Sequence, residues 1–135
     1  MNAAILMPPD FLRPPAAYSH AMSAKIGNAT ILFIAGQLAL DATGRLISLA
    51  VEEQTEFVFN SIGAILAASA MAIGDLVKVQ IFVTDMGDLP KVSKIRDRVL
   101  GDVRPASTLV EVSRLAREGC KVEIDAVAVR SGAGG

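Results

Sequence analysis

Few side chains in this 135-residue sequence could do chemistry, and they are scattered. In the last apolar run, Glu123 and Asp125 alternate with Val122, Ile124, Ala126 and Ala128, so the two carboxylates share one face of a strand. Acids are uncommon inside strands. Asp125 therefore reads as a functional carboxylate, the plain alternative being an aspartate satisfied by backbone or by a neighbouring lysine. Glu123 and Glu111 are assigned to subunit contacts or salt bridges. His20 lies two residues after Tyr18 and shares its face on a strand, which suggests general-base chemistry. Without an orienting partner, a lone histidine reads as structural. Cys120 sits beside Gly119 in a turn, far in sequence from any base, and reads as a buried or half-exposed thiol rather than a nucleophile. Gly63, Gly74 and Gly87 are isolated, so no phosphate-binding loop is present.

The counts exclude further classes. One cysteine rules out an internal disulfide and a Cys-rich zinc site, and one histidine rules out a multi-histidine metal site. Thirteen Lys and Arg against 14 Asp and Glu give a net charge of −1. The pI near 5.8 and the missing basic stripe speak against nucleic acid as a partner. The longest nearly uninterrupted apolar stretch, Ile62 to Gly74, is shorter than the roughly 18–20 residues a membrane span needs. No secretory signal is read at the N-terminus, so the expected location is cytoplasmic. A hydrophobic content of 52% and a mean hydropathy of +0.46 are high for so small a domain, which suggests burial against copies of itself.

The elements that must position these residues follow from pattern. At 14.1 kDa the chain is one domain, since domains usually take about 100–200 residues. Residues 1–17, Pro- and Ala-rich, read as a flexible arm; residues 18–130 form the single folded domain; residues 131–135 read as a disordered tail. Tyr18–Ala24 and Thr30–Ala35 flank the Gly27-Asn28 turn as a hairpin. Asp41–Gly44 is a polar turn. A helix of about twenty residues follows, with Ser48 as N-cap, Glu52 and Glu53 in its first turn and Gly74 past its end. Its stripe of Val51, Thr55, Val58, Ile62, Ile65 and Ser69 faces a sheet. Leu76–Thr84 alternates as a strand. A second helix runs from its cap Asp88, with Pro90 in the first turn, to Gly101. Strands Ser107–Ser113 and Lys121–Val129 close a ββαβαββ order. Two helices cover only one face of such a sheet. The other face is expected to carry Lys78, Phe82, Leu109, Glu111, Glu123 and Asp125, and to meet other subunits, line a cleft, or both.

Several segments in this order resemble the RidA/YjgF (Rid) family: Tyr18-Ser-His-Ala, Gly27-Asn28, Gly36-Gln37, the Asp41–Gly44 turn, Glu53-Gln54-Thr55 and Gly74 through Met86. Pro105-Ala106 with Val110-Glu-Val-Ser-Arg-Leu115, and Val122-Glu-Ile-Asp-Ala-Val127, extend the match over residues 18–130. The resemblance implies an α+β, chorismate-mutase-like fold with both helices on one face, and a homotrimer with clefts between subunits. Active members hydrolyse reactive enamines and imines to keto acids and ammonia, and no metal or cofactor is expected. In such members an arginine after Pro-Ala holds the substrate carboxylate. A glutamate on the last strand positions water, a serine before Gly-Gln touches the ligand, and a tyrosine lines the pocket.

Carried over to this sequence, Tyr18 matches the tyrosine and Gly36 the glycine. Ser107 stands at the arginine, Ala35 at the serine and Asp125, one methylene shorter, at the glutamate. Ser107 is either a ligand donor or a filler at a strand edge. Arg104, before Pro105, could reach the cleft mouth and replace the anchor, or serve only the surface. Two charge-assisted hydrogen bonds at about 1.5–3 kcal/mol each are missing, a loss of about 10²-fold or more in binding an α-imino acid. The expectation is a small-molecule-handling trimer whose substrate is enamine-like, imine-like or conjugated, with ordinary α-imino acid deamination weak or absent. If it is active, it is a cofactor-independent hydrolase. The alternative is a non-catalytic ligand-binding or regulatory trimer. Ribonuclease activity, a label some members carry, conflicts with the charge balance.

Overall fold

The computed structural model describes residues 2–6 and 8–132. Strands β1 (Asn2–Leu6), β2 (Ala21–Ile26) and β3 (Ala29–Gln37) precede helix α1 (Val51–Ala68). Strand β4 (Leu76–Val83), helix α2 (Leu89–Leu100) and strands β5 (Ala106–Glu111) and β6 (Val122–Ser131) complete the chain. The sheet order is β1-β2-β3-β6-β4-β5. Only β4 and β5 run parallel, because α2 carries the chain back between them; every other neighbour pair is antiparallel.

The expected ββαβαββ order is present, preceded by one more strand. The segment read as a flexible arm contributes β1, which pairs with β2 from Asn2↔Lys25 to Leu6↔Ala21. Five residues are too few for periodicity to announce a strand, and the prolines that follow mask it. Ser131, expected to open a tail, belongs to β6; residues 133–135 of that expected tail lie outside the described residues. The first strand of the expected hairpin starts at Ala21 rather than Tyr18. Gly27 supplies the turn with φ +59.

One sheet face is packed. Leu32 and Ile34 on β3, Val79, Ile81 and Val83 on β4, and Val122, Ile124, Ala126 and Ala128 on β6 meet Val58, Phe59, Ile62, Ile65 and Leu66 of α1. Val92 and Ile95 of α2 complete this core. The α1 stripe read from spacing is the buried one, except that Ser69 ends the helix as its C-cap. Ser48 is not the N-cap. Ala50 holds that position without a side-chain bond, and the Ser48 hydroxyl accepts from Ala50 N–H at 3.0 Å, two residues early. Asp41 organises its turn by accepting from the hydroxyl and N–H of Thr43 and from Arg45 N–H, and the Thr43 hydroxyl bond leads in holding its carboxyl below the usual range.

Gln54 ties this layer to the loop before β6. Fully buried, its amide donates to the carbonyls of Ser48 and Gly119, each at 2.9 Å, and accepts from Lys121 N–H at 2.7 Å. Replacing it removes partners from three backbone groups, each costly to leave unmade. Gln54→Leu is expected to lower unfolding stability by about 2–4 kcal/mol, measured as a fall in the urea midpoint at unchanged slope.

Candidate functional site

The uncovered sheet face holds the candidate residues, and pairing decides which belong to it. Across β6, Val127 lies opposite Phe33 and Val129 opposite Ile31 on β3; on β4, Phe82 lies opposite Glu123 and Gln80 opposite Asp125. The face is largely apolar and open: Phe33 is 50% exposed, and Val110 and Val129 are exposed as well. Glu123 and Asp125 point from β6 into this surface and are half-buried.

One part of the expected face is corrected. Parallel pairing sets Ser107 level with Val79, Leu109 with Ile81 and Glu111 with Val83, all on the helix-covered side. Leu109 accordingly packs against the core, and Ala106, Thr108 and Val110 take the open side. Leu109 and Val110 are adjacent and both apolar, so alternation alone does not settle which faces the helices. Glu111 is engaged locally, where its carboxylate accepts from Met86 N–H at 2.8 Å.

Gly36 sits where β3 and β6 fall out of register, between Ile34 and Gln37. A Cβ at Gly36 would stand 2.7 Å from Cδ and Oε2 of Glu123. The glycine leaves room for the end of the Glu123 side chain rather than serving an unusual backbone angle. Burial is the main cause pushing the Glu123 carboxyl up, and the charge of Asp125 adds to it. Burial raises Asp125 too, with Lys78 opposing. Lys78 forms no ion pair with Asp125 among the described residues, so the plain reading of a lysine-satisfied aspartate is only partly met.

Gly36 also walls a cavity of about 140 Å³, together with Tyr18, His20, Gln37, Phe57 and Ser61; residues 10–15 form its outer side. Tyr18 is 53% exposed there. His20 does have orienting partners: Nε2 lies 2.7 Å from the Leu12 carbonyl and Nδ1 3.4 Å from the Gln37 amide nitrogen. The neutral ring fits both, with Nε2–H donating and Nδ1 accepting. The Phe11 ring meets it edge-on at 5.2 Å. The histidine therefore fastens the N-terminal segment to the end of β3. Cys120 is buried, and burial pushes its thiol up against the pull of Arg117, the state of an inert thiol.

The candidate residues form two groups in one protomer. Gly36 joins the first group: with Ala35 it lies in the β3 register break beside Glu123 and Asp125, and it walls with Tyr18 the cavity that neither acid lines. Ser107 and Arg104 line a separate hollow with Arg96, Asp97 and Leu100. Arg104 is exposed, with φ 50. Glu123 is the site residue that the sequence reading assigned elsewhere; its signal is the i, i+2 spacing to Asp125. Among the described residues no group of three His, Cys, Asp or Glu side chains is placed to hold a metal ion, and no helix is long and apolar enough to cross a membrane.

Two helices on one face of this mixed sheet, with acids on the other, define an α+β, chorismate-mutase-like class of protein. The family model described as Endoribonuclease L-PSP matches residues 10–130, and the chain belongs to that family, the RidA/YjgF group. A RutC family protein of Pyrococcus horikoshii is 37% identical over 119 residues, 87% of this chain and 90% of that one. A crystal structure from Thermotoga maritima matches with TM-score 0.85 and 35% identity, covering 96% of this chain and 98% of that one. Escherichia coli TdcF with bound serine matches with TM-score 0.81 and 25% identity, covering 95% and 99%.

The half-buried acids make a pH prediction. A carboxyl whose folded pKa lies above its unfolded value contributes stability that is full below the unfolded pKa and lost as pH rises through the folded one. The contribution of these two carboxyls to stability should therefore fall as pH rises from about 4, the ordinary glutamate value. Glu123→Gln should remove its share of that loss. The variant is expected to match wild type near pH 3.5 and to melt higher than it near pH 8, read by thermal unfolding across pH.

Proposed function

We propose that this Rid-family chain handles a small reactive metabolite, enamine-like, imine-like or conjugated, in a cleft completed by neighbouring copies in a homotrimer. The carrying observation is the pair of half-buried carboxylates, Glu123 and Asp125, set in an apolar sheet face that no helix covers among the described residues. Asp125 is assigned to water or a proton, and Tyr18 with the Ala35-Gly36 backbone lines the pocket. Ser107 and Arg104 sit on the edge strand and its approach, away from Asp125 in one protomer, so a second copy must bring such an edge against the acids. The reaction is hydrolytic or tautomeric and needs no cofactor.

The charge on this face sets substrate preference. An α-imino acid would bring its carboxylate towards Asp125 and Glu123, where Lys78 is the only cation on the paired strand, and like charge at close range raises the energy of the bound state. Ordinary α-imino acid deamination is accordingly weak or absent. A non-catalytic, ligand-binding trimer is the second reading, supported by the similarity to TdcF, a protein seen with serine bound. Ribonuclease activity is suggested by the family model's description. The net charge of −1 argues against it, because RNA binding draws its affinity from phosphate neutralisation.

Sedimentation is expected to show a species of about 42 kDa, three times 14.1 kDa; a stable monomer would end the shared-cleft reading. Hydrolysis of 2-aminoacrylate generated in situ should be near background in wild type and should rise in Ser107→Arg, further still with Asp125→Glu. Wild-type rates equal to those of an arginine-bearing relative would defeat the charge argument. RNA cleavage should not exceed that of Asp125→Ala.

A further inference from the structure

The cavity at the end of β3 takes no part in the chemistry proposed for the open face. Gln37 stands opposite Ile124, a residue of the helix-covered core, while Glu123 and Asp125 alternate to the other side of β6. Phe57 and Ser61 of α1 supply part of the cavity wall, and neither acid lines it.

This space holds an acceptor without a partner. Gln37 is only 5% exposed, and its amide nitrogen is committed: it donates to the Ala35 carbonyl at 3.0 Å and lies 3.4 Å from His20 Nδ1. Those two acceptors fix the direction of the amide, because a reversed one would set Oε1 against the Ala35 carbonyl. Oε1 itself accepts no hydrogen bond among the described residues, where the one fully occluded unpartnered side-chain atom is Ser69 Oγ. The Gln37 oxygen therefore borders accessible space, which for a side chain so buried is the cavity it lines. An acceptor in that position costs stability until something bonds to it.

We propose that this cavity is a second small-molecule site, which takes a flat, uncharged aromatic ring with one N–H or O–H directed at Gln37 Oε1. Its volume of about 140 Å³ is close to that of an engineered apolar cavity, about 150 Å³, that takes benzene. Phe11, Tyr18 and Phe57 line it, half of the aromatic side chains in a sequence with five Phe and one Tyr, so a ring finds edge and face partners. The donor is needed because an occupant that displaces water from Oε1 must replace the hydrogen bond it breaks. Charge is not wanted. Among the described residues the charged side chains of the lining are Asp10 and Arg13, exposed, opposite in sign and on the outer side. His20 already spends both ring nitrogens on Leu12 and Gln37. The bond to Leu12 and the Phe11 ring hold residues 10–15 as the outer wall, so the contacts that fasten this segment also close the site over its occupant. The site is independent of the enamine chemistry proposed for the open face.

Phenol is the probe, with toluene as a ring of similar size that lacks the donor. In an NMR titration of the wild-type protein, phenol should saturate and move the signals of the Gln37 side-chain amide and of Ser61, leaving those of Glu123 and Asp125 in place. Gln37→Leu should shift the phenol-to-toluene affinity ratio about tenfold towards toluene. Ser61→Phe, which fills the cavity from α1 and leaves the Gln37 bonds alone, should abolish binding of both rings while the protein stays folded by thermal unfolding. Should Gln37→Leu not fold, Ser61→Phe and the wild-type shifts decide. The inference is overturned by a wild type that does not saturate with phenol in the millimolar range, or by shifts centred on the β6 carboxylates. A folded Gln37→Leu with an unchanged ratio, or a folded Ser61→Phe that still binds phenol, overturns it equally.

Discussion

The structure depends on a mismatch of coverage: six strands make a sheet with two faces, and two helices can pack only one of them. Everything else follows from what occupies the bare face. Along β6 the residues facing the helices are Val122, Ile124, Ala126 and Ala128, all buried, while Glu123, Asp125, Val127 and Val129 alternate outward. One strand thus serves as the centre of the core and as the floor of the site. Because side-chain direction alternates strictly, the packing that fixes the first set also fixes the second. A one-residue slip would bury both carboxylates under α1. The core therefore enforces where the acids stand, and no separate scaffold is needed to hold them.

The bare face also carries an unmet hydrophobic demand. Full burial of a side chain such as Phe33 or Val129 is worth roughly 1.5–3 kcal/mol. Several such residues on one surface favour association over solvation, and association would dry the ground around Glu123 and Asp125 further. Drying favours the neutral form of an acid, so assembly and proton affinity are linked through the same surface. The register break between Ile34 and Gln37 lies beside this ground, and Gly36 occupies it. A bulge re-aims side chains locally, and here it gives Glu123 room beside Gly36 without disturbing the core pairs on either side.

Much of this was legible beforehand. The five expected strands, both helices and the buried stripe of α1 could be read from period and turn residues, because packing against a sheet imposes those periods. The ordered family segments then fixed the topology. What stayed hidden was hidden for physical reasons. Strand β1 is an edge whose partner is supplied only by tertiary pairing. Leu109 and Val110 are neighbouring apolar residues, so parity could not place Ser107 and Glu111, and only the parallel register with β4 does. At α1, the Ser48 hydroxyl accepts from the N–H of the cap residue Ala50 instead of capping the helix itself, a choice that two residues of loop geometry decide. Glu123 was legible as an outward acid, but its approach to Gly36 depends on a bulge that alternation cannot foresee.

The same open face constrains what chemistry the proposed cleft can accept. An apolar floor with two acids and a single nearby lysine is a poor seat for an anion and a good one for a neutral, conjugated molecule whose reactive nitrogen becomes cationic on the way to products. Ground states that carry charge of the acids' own sign are penalised, while a developing iminium is stabilised by the ionised member of the pair. In a half-dry site such charge complementarity acts more strongly than in water. On the proposed reading, Ser107 at the arginine position and the two outward carboxylates of β6 point the same way. On that reading the fold is kept, while the electrostatics of the open face favour a cation formed during reaction over a substrate's anionic end.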